Sequence, residues 1–138
     1  MITELTIGYA EAKLAMDSML AELERRAKAA VVAVADSHGE LILLVRMDGA
    51  PRSSVAIATN KAWTAVRSGK PSRDVGQRLR DPQEGYDIAY HGDPRITGWG
   101  GGIPLRKDGQ LIGAVAVSGL PELEDMEVAA LGVAAVTG

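Results

Sequence analysis

The spacing of hydrophobic positions along the chain changes from segment to segment, and each change marks an element. From Thr6 or Gly8 to about Lys28, the residues Leu14, Ala15, Met19, Leu20 and Leu23 recur at intervals near three and four, the spacing of one buried helix face. Arg25, Arg26 and Lys28 close that segment, where the carbonyl end of the helix dipole favours cations. The β-branched run from Ala30 to Ala35, the turn Asp36-Ser37-His38-Gly39 and the apolar run from Glu40 to Val45 predict a hairpin. Both arms are apolar almost throughout, which predicts a sheet covered on both faces.

A second helix is punctuated at both ends. Pro51 suits its first turn, Val55, Ala58, Thr59, Ala62, Trp63 and Val66 carry it to Ser68, Gly69 stops it and Pro71 lies just beyond. Ser72 to Leu79 predicts a short helix with Ser72 as its cap, broken by Asp81-Pro82-Gln83-Glu84-Gly85. From there to Ile96 the pattern fades into a long loop with little regular structure. Ile103 to Leu105 and Gln110 to Ser118, joined by Lys107-Asp108-Gly109, form a second hairpin, and Pro104 places its first strand at an edge or a bulge. Glu122 to Val136 is the last helix, with Glu122, Glu124 and Asp125 at its N-terminal end.

Composition narrows the class of protein. A chain of 138 residues predicts one domain spanning 1–138, with enough length to bury a core. It has no cysteine, which removes disulfides, thiolate metal sites and thiol nucleophiles. A net charge of -3 argues against a nucleic-acid partner. The first residues lack a basic start and an apolar segment, and no window is long enough to span a bilayer, so the expectation is a cytoplasmic protein with no membrane partner. Phenylalanine is absent and alanine plentiful, which predicts close helix packing and a homo-oligomer.

The candidate chemistry gathers at the corner after the apolar run, Arg46-Met47-Asp48-Gly49-Ala50-Pro51, because strand-to-helix loops aim side chains from a rigid frame. Arg46 can clamp a carboxylate, with Lys61 as a second cation, the backbone of Gly100, Gly101 and Gly102 as amide donors and Trp99 as a wall. The structural alternatives are equally concrete. Asp48 can cap the following helix or pair with Arg46, Lys61 can be a solvated helix residue, the glycines can serve close backbone packing and Trp99 can fill core. His38 reads as an exposed turn residue. His91, in the long loop, has the chemistry of a ligand or a general acid/base. No metal-ligand spacing, nucleophile elbow or phosphate-binding glycine motif is present.

Several short signatures occur in a set order: Val34-Ala35-Asp36 with Gly39, Arg46-Met47-Asp48-Gly49-Ala50, Ala56 with Lys61-Ala62, Gly101-Gly102-Ile103-Pro104-Leu105, Asp108-Gly109, Ile112-Gly113-Ala114, Val117-Ser118-Gly119 and Asp125. In this order they resemble the GlcG/HbpS-like family, also described as haem-degrading domains and found at the C-terminus of PduO-type corrinoid adenosyltransferases. The resemblance implies a profilin-like, three-layer α/β fold with an antiparallel sheet of about five strands, and homo-oligomers up to octamers. It also implies haem as a possible cofactor, held in relatives by a histidine on the first helix. Here Thr6 to Lys28 contains no histidine; Tyr9, Met16 or Met19 could substitute, and His91 is a further candidate ligand. Two readings follow. One is a module binding haem, a related tetrapyrrole or another anionic small molecule. The other is a cofactor-independent isomerase, lyase or hydrolase in which His91 or Asp48 moves a proton and Arg46 with Lys61 holds a small carboxylate.

Overall fold

The computed structural model describes residues 1–138. In chain order its elements are α1 (Tyr9–Arg25), β1 (Val31–Asp36), β2 (Leu41–Arg46), α2 (Ser54–Ser68), α3 (Ser72–Leu79), β3 (Gly102–Lys107), β4 (Gln110–Ser118) and α4 (Glu122–Thr137), with one 3-10 turn at Ile88–His91. The four strands form one antiparallel sheet in the order β2-β1-β4-β3. That is one strand fewer than the family resemblance implies. The polar stretch after α3 contributes no strand, because its carboxylates bond their own backbone: Asp81 accepts from Gln83 and Glu84, and Asp87 accepts from Ala89. The latter contact closes the 3-10 turn within a segment that the sequence reads as irregular.

The alternation of the two central strands divides the core. Val32 and Val34 of β1 and Val115 and Val117 of β4 point to one face, where they meet Ala12, Ala15, Met16, Met19 and Leu23 of α1 and Val128 and Ala129 of α4. Ala33, Ala35, Ala114 and Ala116, with Val31, point to the other face and meet Ala58, Ala62, Ala65 and Val66 of α2. Small side chains on both sides of that second interface let α2 settle close to the sheet. The result is three layers: α1 with α4, the sheet, and α2 with α3.

Three local expectations are corrected by this packing. The buried stripe of α1 runs Ala12, Ala15, Met16, Met19, Leu23, and Leu14 lies outside it at 57% exposure. Only β1 and β4 are covered on both faces; β2 is an edge strand and its residues are half-buried or exposed. Ser72 does not cap α3. Its hydroxyl accepts from the Gly102 N–H at 2.9 Å and donates to the Gly102 carbonyl at 3.4 Å, so a side chain satisfies the backbone at the start of the edge strand β3. Pro104 sits in that edge strand, next to a bulge at Leu105/Arg106. Asp108 and Gly109 take φ of 51° and 79°, the positive pair that a tight two-residue hairpin turn requires.

Candidate functional site

Lys61 is the largest fully buried side chain in the protein. It occupies the sheet-facing side of α2 between Ala58 and Ala62, a position that the spacing of its neighbours assigns to the core. The stem reaches the far end of β4 because the glycines beneath it carry no Cβ. A Cβ on Gly102 would stand 2.3 Å from the Lys61 carbonyl oxygen, and one on Gly101 would stand 2.9 Å from Nζ and 2.5 Å from the Val117 carbonyl oxygen. Gly101 also has φ of 126°, a backbone conformation that favours glycine.

At the end of that tunnel the ammonium donates to the Val117 carbonyl at 2.8 Å and to Asp125 Oδ2 at 3.1 Å. Asp125 is itself buried on the first turns of α4, and its other oxygen accepts from the Leu120 N–H at 3.1 Å. One carboxylate thus holds both the lysine and the Gly119-Leu120-Pro121 corner that joins β4 to α4. Burial lowers the Lys61 ammonium from its ordinary range and raises the Asp125 carboxyl; in each case the partner's charge opposes the shift.

The pair forms part of the wall of a cavity of about 310 Å³, lined by Ile57 and Lys61 from α2, Trp99 and Gly100 from the glycine loop, Ser118 to Pro121, and Glu122 and Asp125 of α4. Glu122 accepts the Gly100 N–H and lies 3.5 Å from Arg73 of α3. Trp99 is 61% exposed and forms an outer wall. The loop carrying it is set by a glycine pair, since a Cβ on Gly76 of α3 would fall 2.1 Å from the Gly98 carbonyl oxygen.

The structure therefore brings Lys61, Trp99 and Gly100 to one cavity, with Gly101 and Gly102 packed behind the lysine. It does not bring Arg46 there. Arg46 and Asp48 line a separate cavity of about 370 Å³ with Met47, Gly49, Ala50 and Arg52. Asp48 neither caps α2 nor pairs with Arg46. The two cavities nevertheless lie at one end of the sheet: Arg46 pairs with Val31, Val31 pairs with Ser118, and Gly119 packs near Pro51.

His91 ends the exposed 3-10 turn, its Nε2 3.1 Å from the Tyr86 hydroxyl, and lines neither cavity. His38 is exposed, 3.6 Å from Glu4. Tyr9 is exposed in the first turn of α1, whereas Met16 and Met19 are sealed in the core. No group of three or more His, Asp or Glu side chains is placed to hold a metal ion. Reading the sequence missed Asp125, Glu122, Ser118 and Ile57 as site residues. The available signal was a lysine standing where the α2 pattern calls for alanine.

Residues 7–134 match the family model described as haem degrading protein HbpS-like. The chain belongs to the HbpS-like family. Among relatives, it is 32% identical to the corrinoid adenosyltransferase PduO of Salmonella typhimurium over 106 residues, which cover 77% of this chain. The matched segment spans only 32% of PduO, about a third of that protein's length. Among solved structures, ORFY of Klebsiella pneumoniae is 29% identical with a TM-score of 0.94, covering 100% of this chain and 95% of ORFY. A PduOC:haem complex is 26% identical with a TM-score of 0.89, covering 96% of each chain. No helix of this HbpS-like chain is long and apolar enough to cross a membrane.

Proposed function

We propose that this chain is a small-molecule-binding module of the GlcG/HbpS type whose ligand is haem or a related tetrapyrrole. The observation that carries the reading is the likeness, over 96% of the chain, to a structure solved as a PduOC:haem complex. The donors present are compatible with that ligand in a changed form. The first helix offers no histidine, but Tyr9 presents an exposed phenol on its first turn, and a tyrosine oxygen can ligate haem iron. His91 is the exposed nitrogen donor of the long loop. Arg46 and Arg52 share one cavity and supply positive charge suited to propionates. Bound haem would supply an iron centre; the protein's part is to hold the ring and its carboxylates.

A haem titration followed in the Soret band, on wild type beside Tyr9→Phe and His91→Ala, tests the proposal. Saturable one-to-one binding, lost in one variant, names the ligand residue. Weak, unsaturable binding sinks the tetrapyrrole reading and favours the cofactor-independent acid/base enzyme. One observation supports that second reading, namely the ionisable Lys61–Asp125 pair in the wall of a ligand-sized cavity. We also propose self-association into a homo-oligomer, up to an octamer, supported by exposed Leu14, Leu123 and Leu131 on α1 and α4 and by the half-open edge of β2. A monomeric mass by light scattering at micromolar concentration would refute it.

A further inference from the structure

The cations of the two cavities have different surroundings, and the difference has a chemical meaning. The Lys61 ammonium is matched by Asp125, and the Val117 carbonyl takes a second of its three N–H donors. Glu122 adds a second carboxylate to the same lining, and Arg73, its partner at 3.5 Å, stands outside the lining. A carboxylate entering here finds no unpaired cation and faces Glu122 across a small space. One N–H of Lys61, by contrast, has no protein acceptor, although the side chain is 98% buried (2% exposed). Glu122 retains acceptor capacity beyond the Gly100 N–H and Arg73. The lining thus includes both a donor group, Lys61, and an acceptor group, Glu122, with Trp99 and Ile57 as apolar walls, in a volume of about 310 Å³ at the lower limit of small-molecule sites.

We propose that the Lys61 cavity is a separate binding site for a small uncharged molecule presenting a carbonyl acceptor beside an N–H donor, of which a primary carboxamide is the simplest case. The carbonyl oxygen takes the free N–H of Lys61, the amide nitrogen donates to Glu122, and the remainder of the ligand lies against Trp99. The site excludes the matching carboxylate by charge. It neither requires nor precludes a tetrapyrrole elsewhere on the protein.

Three probes of nearly equal shape test this: benzamide, benzoate and benzamidine, each titrated at millimolar concentration while the backbone amide resonances of Gly100, Gly119 and Leu120 are followed by NMR. Benzamide is expected to shift those resonances saturably. Benzoate, carrying one uncompensated like charge, is expected to bind about tenfold more weakly or worse. Benzamidine, which has no acceptor for the lysine, is expected to bind more weakly than benzamide. Because removing Lys61 breaks a buried ion pair and is expected to destabilise the fold, the informative substitution is Glu122→Gln, a partly exposed position, which should narrow the gap between benzamide and benzoate. Benzoate binding as tightly as benzamide, no saturable shift with benzamide, or an unchanged gap in the Glu122→Gln protein would each overturn the proposal. None of these outcomes depends on haem, so the haem titration and this one fail separately.

Discussion

Replacing Lys61 with methionine keeps an unbranched apolar stem, one atom shorter than the lysine, and removes the charge, so the ion pair is lost with little change in the packing of the stem. The substitution leaves the Asp125 carboxylate buried, with the Leu120 N–H among its remaining partners. Breaking a buried pair from one side costs about 3–5 kcal/mol, because the surviving charge stays desolvated without its counter-ion. Against a total of roughly 5–15 kcal/mol for a typical domain, that is a large share of the stability. Lys61→Met with Asp125→Asn should recover most of the loss, since asparagine keeps an oxygen for the Leu120 N–H and carries no charge. Lys61→Met with Asp125→Leu should recover less, because it orphans that donor at about 1–3 kcal/mol. Urea unfolding of the three variants and wild type, with the slopes compared, completes the measurement. If Lys61→Met lies within about 1 kcal/mol of wild type, the pair is not a structural ion pair of the kind described, and the lysine is free for a ligand as the anion-clamp reading of the sequence supposes.

Two other expectations are simpler to check. Gly101→Ala meets both an unfavourable φ and the Val117 carbonyl, so it should cost at least about 1–3 kcal/mol in urea unfolding, while Gly109→Ala, which has open space around it, should pay the φ term alone. The Arg95 guanidinium, 2.8 Å from Asp93, holds that carboxyl down at about 2, and Arg25 with Arg26 does the same for Glu22. A depressed folded-state pKa means the native state binds fewer protons than the unfolded chain, so this stabilisation is present above about pH 4.5 and is lost as pH falls towards about 2. Asp93→Asn should flatten the acid side of a stability–pH curve, and an unchanged slope would contradict the assignment.

The parts of the fold that rest on local rules are readable in the chain. Gly69 and Pro71 end α2, Asp108-Gly109 sets the hairpin, and Pro104 marks an edge strand, because each depends on the backbone preferences of a few consecutive residues. Pro51 falls not in the first turn of α2 but in the turn ahead of it, where its carbonyl accepts from the Ser54 N–H. What escapes depends on residues far apart. Lys61 and Asp125 are separated by 64 positions, and neither has a neighbour in sequence that announces the other. Ser72 looks like a cap because serine before a helical pattern usually is one, yet Gly102, 30 positions away, offers it two backbone partners. Leu14 is a different case: at about 100° per residue it lies nearly opposite Ala12, Met16, Met19 and Leu23, so the helix period itself keeps it out of the buried stripe. The candidate site was half-visible because the sequence points to the lysine and the glycine loop, and tertiary packing supplies the acids.

Every residue from 81 to 92 is exposed, while the chain on either side is anchored: Gly76 abuts Gly98, and the Thr64 hydroxyl donates to the Arg95 carbonyl and accepts from the Thr97 N–H. The excursion is thus bounded by two fastenings that do not pass through it. Its length is then a free variable for evolution or engineering, since doubling a flexible loop adds only about 0.6 kcal/mol of closure entropy. A foreign segment grafted between Asp81 and Asp93 would inherit a fixed base beside Trp99 without asking the core to change.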